Sequence, residues 1–217
     1  MILTATILIL VAGGWLALAA WLSSRLGLTM RQAFFYAPLK LVNRIGDGEA
    51  KSLRQASPPI IYAVRHQSRI EPALALSLLP QETLHILDQE SAKAAWLEPW
   101  RALARTIGFN AEHLFVNRRL VRHLKGKGRL AVYLPADIRP DTKAFRLYRA
   151  IARIAESSGA TVVPVHFERT TAGPLPRLTL RTLPPLTIAQ LAERSSAPGK
   201  SQALFNRIEE ARLKAAA

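Results

Sequence analysis

The stretch Ile60-Ile61-Tyr62-Ala63-Val64-Arg65-His66-Gln67-Ser68-Arg69-Ile70-Glu71-Pro72-Ala73-Leu74-Ala75-Leu76-Ser77-Leu78-Leu79 decides how the chain is read. Its first five residues form a continuous apolar run behind Ser57-Pro58-Pro59, the pattern of a short buried strand. Residues 72–79 read as a helix with proline in its first turn, where the missing N–H removes no hydrogen bond. The turn between them sets His66 directly after the strand and Glu71 at the start of the helix. In α/β proteins that is the carboxyl edge of the sheet, where ligands bind.

The same alternation continues outward. Residues 84–87, 114–116, 130–134, 161–167 and 177–182 read as further strands. Residues 90–106 read as a helical stretch with Trp96 and Trp100 on one face. Residues 118–127 read as a very basic helix or turn, and 47–58 as polar and turn-like. Residues 143–158 read as an amphipathic helix closed by Gly159 as its C′ residue, and 201–214 as a last helix. Strands alternating with helices predict an α/β domain: a mixed, mostly parallel sheet flanked by helices.

His66 and Glu71 carry the first chemical signal. A carboxylate five residues on can fold back across the turn and accept from one imidazole nitrogen, which fixes the tautomer and leaves the other nitrogen basic. A histidine held this way can take a proton from an attacking hydroxyl. The spacing fits a surface histidine beside a helix-capping glutamate equally well. His85, His113 and His123 have no partner pattern and read as solvated or structural, and Trp96 and Trp100 as packing. No histidine pair has a metal-ligand spacing, and there is no cysteine, so no metal site, disulfide or cysteine nucleophile is expected.

The amino-terminal stretch, Met1 to Ser24, has no charged side chain, and its apolar run is about the 20 residues that a bilayer-spanning helix needs. Arg25, Arg31, Lys40 and Arg44 follow it and no basic residue precedes it, which by the positive-inside tendency puts the rest of the chain on the cytoplasmic side. A cleaved signal peptide is the rival reading, with Ala17-Leu18-Ala19 as a small-residue motif but no basic n-region. A helix lying on the membrane surface is another. The mixed segment Arg31-Gln32-Ala33-Phe34-Phe35-Tyr36 and onward to Ile45 reads either as an interfacial helix meeting anionic lipid or as a helix packed on the core. The expected divisions are therefore 1–24, a transmembrane or anchoring helix; 25–54, an interfacial basic and aromatic segment; and 55–217, the α/β domain. The formal net charge of +15, from 30 basic and 15 acidic residues, favours polyanionic partners. No zinc-finger or RNA-binding aromatic signature accompanies that charge, which alone does not choose between nucleic acid and membrane; the apolar N-terminus does, so an anionic membrane is expected and nucleic acid is not. The run Arg118–Lys127 reads as a solvated face, or as one that attracts an acidic carrier protein or anionic lipid.

Four blocks, in order, resemble the lysophospholipid and glycerol-phosphate acyltransferase family. They are Arg65-His66-Gln67-Ser68-Arg69-Ile70-Glu71; Gly108-Phe109-Asn110 with Leu114-Phe115-Val116-Asn117-Arg118; Tyr133-Leu134-Pro135-Ala136-Asp137-Ile138-Arg139; and Val162-Val163-Pro164-Val165. The likeness covers roughly residues 55–190. With the segment Pro176–Pro185, it is strongest to the acyltransferase half of the bifunctional acyl-carrier-protein synthetase/2-acylglycerophosphoethanolamine acyltransferase. The resemblance implies a glycerol-phosphate acyltransferase-like domain that moves a fatty acyl group from acyl-CoA or acyl-carrier protein to a lysophospholipid or glycerol-phosphate-type acceptor. It implies a general-base dyad of His66 and Glu71, an acceptor phosphate bound by Arg118 and Arg139 with Asp137 alongside, and no metal or organic cofactor. Three positions depart from the family's pattern: Glu71 stands for its Asp, Arg65 for its Asn, and Ala136-Asp137 for its Glu-Gly. The last change motivates an alternative, a catalytically impaired membrane-bound relative that binds lipid or acyl-carrier protein.

Overall fold

The computed structural model describes residues 2–108, 118–135, 145–170 and 177–216. Six strands form one sheet: β1 (Ile60–His66), β2 (Leu84–Leu87), β3 (Arg105–Gly108), β4 (Arg129–Pro135), β5 (Thr161–Thr170) and β6 (Arg177–Thr182). Their order is β3-β2-β4-β1-β5-β6, and every pairing is parallel except that of β5 with β6. The fold is thus the mixed, mostly parallel sheet flanked by helices that the alternating pattern predicts. β1 lies at its centre, paired from Ile60 opposite Arg129 to His66 opposite Pro135 on one side and from Ile60 opposite Thr161 on the other. Such a strand is covered on both faces, which is why its sequence is continuously apolar instead of alternating.

Side chains of β1 divide between two cores. Ile60, Tyr62 and Val64 enter a core shared with α1 (Ile2–Leu26), α2 (Met30–Asn43), α3 (Ala50–Gln55) and α4 (Glu71–Leu78). Ile61 and Ala63 enter a second core with α7 (Arg118–Lys125), α8 (Phe145–Ser158), α9 (Ile188–Arg194) and α10 (Lys200–Ala216). The adjacent strands β1 and β4 therefore send their following helices, α4 and α8, to opposite faces. α8 ends at Gly159, whose φ of 70° is the left-handed C′ conformation expected of it.

Two local readings differ from the observed elements. Residues 90–106 are not one helix: α5 (Gln89–Lys93), a 3-10 turn (Ala95–Leu97) and α6 (Glu98–Arg101) are short, and the chain then becomes β3. Pro99 admits only a helix start at this point, and the Trp96 and Trp100 rings pack at 6.0 Å across the break. Among the described residues the third strand is 105–108; the strand expected at 114–116 lies outside them. α3 falls in the stretch 47–58 that reads as turn-like, and α9, for which the pattern offers no reading, starts at a capping box of Thr187 and Gln190.

α1 is continuous over 25 residues, about 37 Å at 1.5 Å per residue, against roughly 30 Å of bilayer hydrocarbon. It is long and apolar enough to cross a membrane. Its two halves differ. Leu3 to Val11 are mostly exposed, whereas Ala19, Leu22 and Leu26 are buried in the first core. α2 packs against α1 and is tied to the domain by polar contacts: Gln32 Nε2 donates to the Leu79 carbonyl at 2.8 Å, and Tyr36 donates to Asp47 Oδ2 at 2.8 Å. Lys40 pairs with the same Asp47 oxygen at 2.6 Å. The opposite side of α2 leaves Met30, Phe34, Leu41 and Val42 exposed. In detergent, Leu22→Ala should cost about 2–4 kcal/mol of stability because it opens a cavity under a side chain with no exposure, while Leu10→Ala, at a position 68% exposed, should stay within about 0.5 kcal/mol. Chemical denaturation of the two variants checks this contrast.

Candidate active site

All five parallel strands end at one edge, so the topology gathers there the residues that follow them. His66 is the last residue of β1 and Pro135, opposite it, the last of β4. Gly108 closes β3, and the chain returns as α7, which must start near the same edge because it leads back to the beginning of β4. Arg118 is the first residue of α7 and is exposed. Asp137 and Arg139 lie outside the described residues, as does His113, and so does the side chain of His66. Adjacent strands whose following helices cover opposite faces mark where α/β folds hold ligands, and β1 and β4 are such a pair.

Glu71 opens α4 and is almost completely buried, at 1% exposure. Its carboxylate folds back over the turn: Oε2 accepts the Gln67 N–H at 2.8 Å and Oε1 accepts the Ser68 hydroxyl at 2.9 Å. The Glu71 N–H donates in turn to the Ser68 carbonyl at 3.3 Å. These bonds hold the chain from Gln67 to Glu71 in one conformation and so fix the backbone where β1 ends. Burial pushes the Glu71 carboxyl up to about 7, outweighing the bonds from Gln67 and Ser68 and the nearby charge of Arg169, which act in the other direction. Ser68 is the member of this turn that spacing arguments passed over; its hydroxyl at the third position before the glutamate is the signal that could have found it.

The other face of the same strand end carries a second polar arrangement. Arg65 is buried and forms an ion pair with Glu209 of α10. His166 pairs across from Arg65 on β5, and burial first, then the charges of Arg65 and Arg212, hold its imidazole down to about 4. Residue 65 is thus drawn toward the second core and the last helix. No local pattern announces this pair, because its members come from the first strand and the last helix. His85 also proves structural: it is fully buried, 2.9 Å from the Tyr133 hydroxyl, and burial holds it down to about 3. His123 lies 3.1 Å from the Arg129 carbonyl through Nε2, consistent with a structural role. Among the described residues no cluster of histidine, aspartate and glutamate could hold a metal ion.

The fold is similar to that in the crystal structure of the 1-acyl-sn-glycerophosphate (LPA) acyltransferase, PlsC, from Thermotoga maritima. The alignment covers 100% of this chain and 96% of that one, with a TM-score of 0.53 and 15% sequence identity. At that identity the likeness is one of fold alone: a helix-flanked, mostly parallel sheet. No family model and no curated protein matches the sequence.

Glu71 makes stability depend on pH in a defined direction. Its folded value lies above the ordinary 4.5, so its contribution is fully present below about 4.5 and is lost as pH rises through about 7. The stability of the wild type relative to Glu71→Gln should therefore fall by up to about 3 kcal/mol between those limits. Thermal melts of both proteins across that range measure it, and a constant difference would contradict the buried-carboxyl assignment.

Proposed function

We propose that the chain is a membrane-anchored O-acyltransferase that moves a fatty acyl group from acyl-CoA or acyl-carrier protein to a lysophospholipid or glycerol-phosphate-type acceptor. The observation that carries this reading is the strand end itself: on an acyltransferase fold, His66 closes the central strand and Glu71 is buried in the turn behind it. In the proposed reaction His66 takes the proton of the acceptor hydroxyl as its oxygen attacks the thioester carbonyl. The tetrahedral intermediate collapses with cleavage of the C–S bond, the electron pair leaves on sulfur, and the thiolate takes the proton back from the imidazolium. The products are an ester and a free thiol, with no net change of protons or electrons. Glu71 would stabilise the imidazolium, directly or through the turn it pins. Arg118 and Arg139 would bind the acceptor phosphate through charge-assisted contacts, with Asp137 alongside.

The apolar helix α1 would hold the domain at the bilayer, as a single-pass or peripheral anchor. Arg25 and the basic residues after it would keep the domain on the cytoplasmic side and near anionic lipid. The divisions at 24 and 54 follow from this reading. The exposed apolar side of α2 supports an interfacial role for residues 25–54, since Phe34 also packs at a tilt against Trp15 of α1, with ring centres 5.6 Å apart. A second reading, a catalytically impaired relative that binds lipid or carrier protein, rests on Ala136-Asp137 standing where the family resemblance expects Glu-Gly.

Acyl transfer from labelled palmitoyl-CoA and palmitoyl-acyl-carrier protein to a panel of lysophospholipids separates the two. His66→Ala should lower the rate by about 10²–10⁴-fold, the usual contribution of a general base. Glu71→Asp should retain activity, and Arg139→Ala should chiefly raise the KM of the phosphate-bearing acceptor. Wild-type protein that transfers nothing to any lysolipid, with His66→Ala indistinguishable from it, would leave the binding reading. Carbonate washing of membranes should not release the full chain, and its appearance in the soluble fraction would remove the anchor.

A further inference from the structure

The helices on the second core carry a row of exposed cations of which the proposed chemistry uses Arg118 alone. α7 buries Leu120 and Leu124 and exposes Arg118, Arg119, Arg122 and Lys125. α8 packs beside it, buries Leu147, Tyr148, Ile151 and Ile154, and exposes Arg146, Arg149 and Arg153. Each helix thus turns a row of cations outward at spacings of three and four residues, about 10 Å long at 1.5 Å per residue. α7 contains no acidic residue, and the single one in α8, Glu156, sits in the last turn and pairs with Lys200. Among the described residues none of these arginines, nor Lys125, takes part in an ion pair. Like charges packed this closely repel, so the surface gains free energy when a polyanion covers it.

We infer that the outer face of α7 and α8 is the docking surface for the acidic face of an acyl-carrier protein, the thioester donor of the proposed reaction. This inference deepens the acyltransferase reading and rests on it. Three observations favour a protein partner with carboxylates at helical spacing. The cations form a row on each of two adjacent helices at spacings of three and four residues, the spacing at which a partner helix presents its carboxylates. Both helices begin at the carboxyl edge, so a partner lying along them stands beside the strand end that holds His66. The surface covers the sheet face opposite to the one that carries α1 and the exposed apolar side chains of α2, so a bilayer engaged by those side chains lies on the other side. Docking makes and breaks no covalent bond; it raises the local concentration of the thioester.

The test compares two donors in the full chain in detergent micelles. Arg149→Glu/Arg153→Glu should raise the KM for palmitoyl-acyl-carrier protein about tenfold, leave kcat unchanged, and alter the KM for palmitoyl-CoA by less than about twofold. Arg149→Lys/Arg153→Lys should behave as wild type, and the difference between wild type and the glutamate variant should vanish near about 0.5 M salt. Binding of unacylated holo-acyl-carrier protein, read by biolayer interferometry, should be lost in the glutamate variant and kept in the lysine variant. That binding assay decides the inference even if no donor supports acyl transfer. Equal loss with both donors, unchanged binding in the glutamate variant, or no carrier binding by the wild type would overturn it. So would a charge reversal that weakens binding to phosphatidylglycerol vesicles and spares the carrier protein.

Discussion

The parallel pairing of β1 with β4, buried on both faces, is the constraint on which the rest of the molecule depends. A strand that buries Ile60, Tyr62 and Val64 on one side and Ile61 and Ala63 on the other has one register that keeps both cores filled. That register brings His66 opposite Pro135 and so aligns the ends of the two strands. Because α4 and α8 leave these strands toward opposite faces, the ends are not roofed by either helix. The position of the strand end that carries His66 is thus a consequence of how two apolar strands are covered.

Polar groups near this edge are held by partners instead of by water. Glu71 accepts a backbone N–H and a hydroxyl from its own turn, and Arg65 pairs with Glu209 from the far end of the chain. Each is a group that burial penalises when charged, and each is tolerated because hydrogen bonds or an opposite charge offset part of that cost. The last helix is therefore coupled to the strand that carries His66, although it contributes no residue to the candidate chemistry. The N-terminal helices are coupled to the opposite face in another way. The buried half of α1 shares the first core with α4, so the apolar half projects from a fixed base.

Much of this was legible locally because it rests on local physics. The continuous apolar run of β1, the proline at the start of α4, the glycine after α8 and the uncharged stretch of α1 each state their own conformation. The order of strand, turn and helix by itself puts His66 and Glu71 at a strand end. The broken segment 89–108 was not legible, because Trp96 and Trp100 at a spacing of four imitate a helical face while Pro99 and the need for an edge strand decide otherwise. α9 is a helix of seven residues whose capping box was present but whose apolar face needs α8 and α10 to be buried.

What the amino-acid sequence determined by itself, then, is the α/β class, the apolar N-terminal helix and the identity of the strand end that carries His66, all set by periodicity over a few residues. What only the tertiary structure decided is the strand order, the burial that brings the Glu71 carboxyl to about 7, the Arg65 pair with Glu209, and the packing of the cation-bearing helices α7 and α8 side by side over one core. Desolvation, long-range pairing and the adjacency of separate helices depend on which surfaces are excluded from water once the chain has folded, and no window of local sequence contains that information.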